Sequence, residues 1–242
     1  MKFGILADIH SNLEALNCCI EGLKGIDNFI CPGDIVGYGP NPNECIDIIK
    51  GLKCSIVAGN HERACCGIMD PTSFTGEAGE SIRWTAKILT AKNREYIELL
   101  PDQLDLHGFQ VVHGSLRNPL EEYISNIQTG AISIELMKQK VLFVGHLHIP
   151  LVIVKDTSGK YDSWQLADGD VVNIDKFDKV IINAGAVGQP RDMDPRASFG
   201  IYDSEAQTVK IKRVEYNIKA VQDKMRKAEL PDFLAERLKY GR

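Results

Sequence analysis

A chain of 242 residues can bury one sizeable core, and 44% hydrophobic with 25% charged residues excludes the biased compositions of disordered and fibrous proteins. Net charge is −5, yet residues 210–242 carry ten Lys and Arg against five Asp and Glu; acids such as Asp223, Glu229 and Glu236 interrupt them, which reads as a solvated helix face and argues against a long nucleic acid as partner. Asp8 cuts short the N-terminal apolar run and no later run could span a bilayer, so a cytoplasmic, membrane-free protein of one domain, residues 1–242, is expected.

In chain order, short runs rich in Ile, Val and Phe at residues 3–7, 28–31, 54–58, 109–112 and 141–144 predict buried strands. Between the first two, Leu13, Leu16, Ile20 and Leu23 recur at helical spacing, with Ser11 as cap and Glu14 three positions on as a capping box. Further helices are predicted over 44–50 and over 76–100, the latter ending against Pro101. This alternation implies a mostly parallel sheet. After Pro150 the pattern changes to strand-like segments at 151–155, 161–166, 179–182, 198–202 and 208–214, which look antiparallel, before a polar helical tail containing Pro231. The fold class is therefore α/β, with two sheets forming a sandwich flanked by helices. The seven cysteines are odd in number and show no CxxC spacing, so they read as reduced core hydrophobes.

Each apolar strand of the first half ends in a residue able to bind metal: Asp8-Ile9-His10, Asp34, Asn60-His61, His113, and His146-Leu147-His148. The carboxyl ends of strands in a parallel α/β sheet share one edge, so all these residues can converge there. Residues two apart in an extended segment point to one side, which would let Asp8 and His10 face one cavity, as would His146 and His148. Glycines before Asp34, Asn60 and His146 suit sharp strand exits with close backbone approach or positive φ. Imidazole, carboxylate and amide-oxygen donors together suit Mn²⁺, Fe²⁺ or Zn²⁺. Two such ions about 3.5–4 Å apart can clamp a phosphoryl group and convert a bridging water to hydroxide at neutral pH.

Those motifs, in this order, resemble the calcineurin-like metallophosphoesterase superfamily, whose pattern is DxH, GDxx, GNH[DE], a single His and GHxH. The resemblance implies that Asp8, His10 and His148 hold one metal, that Asn60, His113 and His146 hold the other, that Asp34 bridges them, and that His61 is the catalytic imidazole. Gly33-Asp34-Ile35-Val36-Gly37-Tyr38-Gly39-Pro40, Pro42-Asn43-Glu44, Trp84-Thr85 and Gly188-Gln189-Pro190-Arg191 look like its small bacterial and archaeal phosphodiesterase branch. One departure is Asn183-Ala184-Gly185-Ala186, where that branch tends to read Asn-Pro-Gly-Ser; a serine hydroxyl is missing.

Other residues have plainer readings. His107 falls outside the motifs and reads as a turn residue; Asn12 could orient the Asp8–His10 segment. Arg191 is a candidate for holding a substrate phosphate, as is Arg196, although pairing with Asp192 or Asp194 would explain either. Arg63 has less support, and Cys65 and Cys66 are not needed as ligands. The expected function is a two-metal phosphoesterase acting on small phosphorylated, nucleotide-type substrates, with two divalent ions, Mn²⁺ first among them. Monoester hydrolysis and dinucleoside-polyphosphate cleavage are the alternatives, and a scaffold without catalysis on the same fold is a further one.

Overall fold

The computed structural model describes residues 1–74 and 76–242. In chain order the elements are β1 (Lys2–Ile5), α1 (Leu13–Gly22), β2 (Asn28–Cys31), α2 (Pro42–Gly51), β3 (Lys53–Ile56), α3 (Asn60–Cys65), α4 (Gly76–Ile88), α5 (Ala91–Glu98), β4 (Gln103–Leu106) and β5 (Phe109–Val112). Then follow α6 (Ile127–Leu136), β6 (Val141–Val144), β7 (Pro150–Lys155), β8 (Tyr161–Gln165), β9 (Val171–Asn173), β10 (Lys179–Ala184), β11 (Ala197–Asp203), β12 (Thr208–Val214), α7 (Ile218–Lys227) and α8 (Asp232–Arg237).

The strands form two six-stranded sheets, ordered β3-β2-β1-β11-β12-β9 and β4-β5-β6-β10-β7-β8. The sandwich flanked by helices is as expected, but the antiparallel half does not make a sheet of its own. β11 pairs antiparallel with β1, in register Ile5 to Gly200, while β10 runs parallel to β6. Each sheet thus has three parallel strands whose carboxyl ends share an edge: β1, β2 and β3 in one, β5, β6 and β10 in the other.

Between the sheets lies a dry layer in which Ile5, Ile30 and Val57 meet Val111, Phe143, Val180 and Ile182. Phe3, Phe109, Phe143 and Tyr202 pack through successive ring pairs at 5.4, 5.6 and 5.2 Å. Burying side chains of this size contributes roughly 1.5–3 kcal/mol each. A second core lies between the first sheet and its helices, including Leu16, Ile46 and Ile82, and a third places Ile134 of α6 over Val144 and Ile153.

Three local expectations change. The cap of α1 is Asn12, whose Oδ1 accepts from Ala15 N at 3.1 Å; Ser11 lies outside the helix with φ +55°, and its Oγ has no partner. The helix expected over 76–100 is two, α4 and α5, because Thr90 turns extended and its hydroxyl caps Asn93 N at 3.2 Å. β1 and β3 end two residues earlier than their apolar runs: Leu6 N and Val57 N still donate to Ile30 O and Cys31 O of β2, but Asp8 N and Ala58 N turn to Gly33 O and Pro101 O in neighbouring loops. His107 sits in the β4–β5 turn as read.

Candidate metal centre and pocket

The strands stop and their loops interlock above the shared edge. Asp8 N donates to Gly33 O, His10 N to Asp34 O, Gly39 N to His10 O and Gly188 N to Asp8 O, all within 2.9–3.2 Å. Asp8, His10, Asp34, His146 and His148 adopt φ of 52°, 47°, 54°, 65° and 63°. Left-handed backbone in a residue other than glycine costs on the order of 1 kcal/mol or more and concentrates at functional sites. Asp8 and His10 therefore converge through a left-handed turn, and the extended alternation read from the sequence is not the reason. Of the preceding glycines only Gly33 has positive φ. Gly59 and Gly145 serve close approach: a Cβ on Gly59 would lie 2.0 Å from Asp34 Oδ1, and one on Gly145 3.1 Å from Asp8 Oδ2.

All seven expected ligands are buried and face one another. Asp8, His10, Asp34 and His148 form one group of potential donors, and Asp34, His113 and His146 a second that shares Asp34. Asp34 Oδ2 is 3.3 Å from His113 Nε2, 3.6 Å from His10 Nε2 and 4.0 Å from His61 Nε2. Asn60 Oδ1 lies 3.1 Å from His113 Nε2. Asp8 Oδ1 accepts from His146 N at 2.9 Å, and its Oδ2 is buried without a partner.

The outer ring nitrogens determine which lone pairs point inward. His10 Nδ1 donates to Val36 O at 3.0 Å, His148 Nδ1 to Gln189 O at 2.6 Å and His113 Nδ1 to Pro32 O at 2.8 Å, while His146 Nε2 donates to Glu121 O at 3.2 Å. A carbonyl can only accept, so these outer nitrogens carry protons, and in the rings that stay neutral, His10, His146 and His148, the inward nitrogens are free. Burial holds both His10 and His148 well below the ordinary histidine range, so both are neutral. Their Nε2 atoms nonetheless stand 3.0 Å apart. Two donors about 2.1 Å from one ion and at a right angle would be about 3.0 Å apart, so a divalent cation fits this pair. His113 Nε2 and His146 Nδ1 are also 3.0 Å apart. Burial works to lower the pKa of His113, but the Asp34 carboxylate, by charge and by hydrogen bond, pushes it up to about 9. There a proton or a cation can sit between the rings.

His61 occupies the wall beside this cluster. Its backbone N donates to Asp34 Oδ1 at 3.0 Å, and its Nδ1 is buried with no partner. The ring packs against Tyr38 at 4.6 Å and Phe74 at 5.2 Å, and burial lowers its pKa to about 4. A cavity of about 230 Å³ opens over Asp34, Asn60, His61, His146 and His148, with Arg191, Tyr38 and Tyr123 in its walls. Arg191 Nη2 donates to Tyr38 Oη at 3.3 Å and Gln189 Oε1 at 3.0 Å.

The remaining candidates lie elsewhere. Arg196 pairs with Asp194 at 2.7 Å and Asp168 at 3.2 Å, and Arg63 with Asp102 at 2.6 Å. Cys65 and Cys66 direct their thiols to backbone carbonyls, and all seven cysteines are free. Asn12 Nδ2 donates to Gly188 O at 2.9 Å, bracing the loop beside Asp8. In the departing segment, Asn183 Nδ2 donates to Gly145 O at 2.6 Å and so fixes the approach to His146, whereas Ala186 is buried and offers only a methyl group.

Several residues were given no role by sequence reasoning. Glu62 fills the acidic position of the GNH[DE] pattern, and its fully buried carboxylate accepts from Gly59 N at 2.7 Å, Asp34 N at 2.8 Å and Val36 N at 3.0 Å. Burial raises its pKa to about 7. Tyr123 stacks flat on His146 at 3.9 Å with 13° between ring planes. No short motif marks Tyr123, whose position depends on the 115–126 loop folding back.

A two-sheet sandwich with a carboxylate and imidazole cluster at its shared strand edge defines a metal-dependent phosphoester hydrolase. The chain belongs to the calcineurin-like phosphoesterase superfamily, whose domain matches residues 1–207. A metallophosphoesterase from Sphaerobacter thermophilus, known from its crystal structure, is 39% identical with a TM-score of 0.90 over 100% of both chains. An uncharacterized protein of Methanocaldococcus jannaschii is 36% identical over 250 residues, 98% of this chain and 97% of that one. A hypothetical protein from Pyrococcus horikoshii OT3 shares the fold at 22% identity, with a TM-score of 0.82 over 100% of this chain and 98% of the other. Among the described residues no helix is long and apolar enough to cross a membrane.

Proposed function

We propose that the protein is a dinuclear phosphodiesterase of small, nucleotide-type substrates in the cytoplasm, with Asp8, His10 and His148 holding one ion, Asn60, His113 and His146 the other, and Asp34 shared. The observation that carries this reading is the pair of neutral His10 and His148 rings whose unprotonated Nε2 atoms face each other at 3.0 Å beside Asp34. The donor set favours Mn²⁺, with Fe²⁺ or Zn²⁺ also suited. Two divalent ions held there supply Lewis-acid charge to phosphoryl oxygens and lower the pKa of water.

The chain's own groups do the rest. Arg191, on the cavity wall, orients the phosphate through its guanidinium. His61 is neutral when the pocket holds no anion; an entering phosphate favours its protonated form by charge, so His61 can bring a proton to the leaving oxygen. Phe74 and Tyr38 hold its ring between them and keep water from its faces. The cavity, of about 230 Å³, suits a small diester.

The deciding experiment is hydrolysis of bis-(p-nitrophenyl) phosphate and p-nitrophenyl phosphate by metal-stripped protein, before and after Mn²⁺ is added, with His61→Ala as control. Mn²⁺-dependent turnover, faster on the diester and lost in a variant that still binds metal, supports the reading. A faster monoester would replace it with a phosphatase, and full activity in His61→Ala would remove His61 from the chemistry.

A further inference from the structure

The loop between β5 and α6 has no regular structure, yet its own bonds fix it. Gly114 N donates to Pro119 O at 2.6 Å, Ser115 Oγ accepts from Arg117 N at 3.2 Å and from Asn118 N at 3.0 Å, and the Glu122 carboxylate accepts from both Ser115 and Arg117. Ile124 is buried beneath it with Val112, Ile134 and Leu142. Between these anchors the loop meets His146: the carbonyl of Glu121 accepts from His146 Nε2 at 3.2 Å, and the Tyr123 ring lies flat on the imidazole at 3.9 Å. A ring held in this way has little freedom left to lose when a ligand reaches it.

Among the described residues that line the cavity, Tyr38, Phe74 and Tyr123 carry the aromatic rings other than imidazole. Tyr38 is enclosed by His10 at 4.5 Å, His61 at 4.6 Å and the Arg191 guanidinium at 5.8 Å, and Phe74 packs on His61 at 5.2 Å. Tyr123, by contrast, is 46% exposed. His146 covers one face of its ring, so the exposed area belongs to the other face and the edge.

Charge decides what can rest on that face. Arg191 is the one Lys or Arg among the described residues lining the cavity, and its place is with the reacting phosphate; the neighbour of Tyr123 in the wall is Glu121. A second phosphate would find no cation at Tyr123, whereas a flat, uncharged ring would bury against the phenol and gain offset stacking. We propose that Tyr123 is the platform on which the substrate's nucleobase stacks, one face of the phenol seating His146 and the other receiving the base, so that phosphate esters of nucleosides are preferred over those of sugars and simple alcohols. This rests on the phosphoesterase reading, and it makes Tyr123 a specificity-determining residue that stands apart from the reacting atoms. Every base has a π-face, so the platform selects for a base without selecting which one.

The test is calorimetric binding, at fixed free Mn²⁺, of the methylenephosphonate analogues of AMP and of ribose 5-phosphate, in which carbon replaces the ester oxygen so that neither can be hydrolysed. The wild type is compared with Tyr123→Phe and Tyr123→Leu, each checked for folding by thermal melt and for metal by elemental analysis. The wild type should bind the base-bearing analogue about tenfold more tightly than the sugar analogue, Tyr123→Phe should keep that ratio, and Tyr123→Leu should bring it close to one while binding the sugar analogue as the wild type does. A ratio near one in the wild type, or an undiminished ratio in Tyr123→Leu, overturns the platform; the second result, with both analogues weakened equally, would leave Tyr123 only the seating of His146. Hydrolysis of bis-(p-nitrophenyl) phosphate, followed in parallel, reports separately on the phosphoesterase reading. Turnover without the binding difference removes the platform alone, and the difference without turnover removes the enzyme reading alone.

Discussion

His10 and His148 present unprotonated Nε2 atoms to each other at 3.0 Å, each ring locked by an Nδ1–H bond to a backbone carbonyl. Neither ring can rotate to relieve the contact without stranding a buried N–H, so the scaffold holds an arrangement that a cation would satisfy. Asp34 occupies the position from which its carboxylate reaches both halves of the cluster.

Asp34→Asn should therefore lower the affinity of both sites together. The amide keeps an oxygen that can accept from His61 N, so the fold should survive, while the negative charge near His10, His61 and His113 is lost. We expect more than a tenfold loss of Mn²⁺ affinity and less than full metal content after dialysis, read by calorimetry and by elemental analysis. Full occupancy would show that Asp34 is not the shared donor.

Protons and cations compete for the same donors, and the direction follows from two groups. Burial raises Asp8 to about 7, and the Asp34 carboxylate, overcoming burial, raises His113 to about 9. Below those values each holds a proton that a cation must displace, so affinity should rise with pH, by about tenfold per pH unit per displaced proton. The rise should be steepest below pH 7, where both groups contribute, and should level off above pH 9. Titrations at pH 7 in buffers of different ionisation enthalpy should show proton release; heats independent of buffer would contradict it.

Much of this centre could be read from residue order, because a strand that ends in Asp or His at a shared edge leaves few places for that side chain to go. Asp8, His10, Asp34, Asn60, His61, His113, His146 and His148 meet where that argument put them. What the sequence hid was geometry set by tertiary contact. The left-handed turns at five ligands depend on loops from other strands, the break at Thr90 has no Gly or Pro to announce it, and β4, β9, α3 and α6 are too short or too mixed for a clear period. The bond from Met193 N to Gly241 O ties the chain end to the Arg191 loop, segments that have no common pattern.

Glu62 gives a prediction separable from ligand loss. Its two oxygens accept three backbone N–H groups, from the loops that carry Asp34 and Asn60. Glu62→Gln keeps size and shape but sets an amide NH₂ against at least one of those donors. One buried donor left unsatisfied costs about 1–3 kcal/mol, which for a chain of this length lowers Tm by roughly 2–4 °C per kcal/mol. Thermal melts should show that loss together with weaker Mn²⁺ binding, and an unchanged melt would mean the two loops hold their places without the carboxylate.

Gly37 tests how closely the pocket is fitted around His61. Its φ is +88°, and a Cβ at this position would lie 2.1 Å from His61 Nδ1 and 2.9 Å from Cγ. Gly37→Ala adds both a left-handed alanine, a strain of roughly 1–2 kcal/mol, and a methyl group in the space of the imidazole. His61 contributes no atom to either donor group, so its displacement should leave metal content near that of the wild type while kcat falls at least as far as a tenfold loss, about 1.4 kcal/mol of barrier. The Tyr38 ring, packed at a tilt against the same imidazole, should move with it, and the change should appear in kcat before KM. Gly37→Ala combined with His61→Ala decides the cause: if the methyl group acts through the ring, the double variant is no slower than His61→Ala alone. A further drop in the double variant would locate the damage in the Asp34 loop itself.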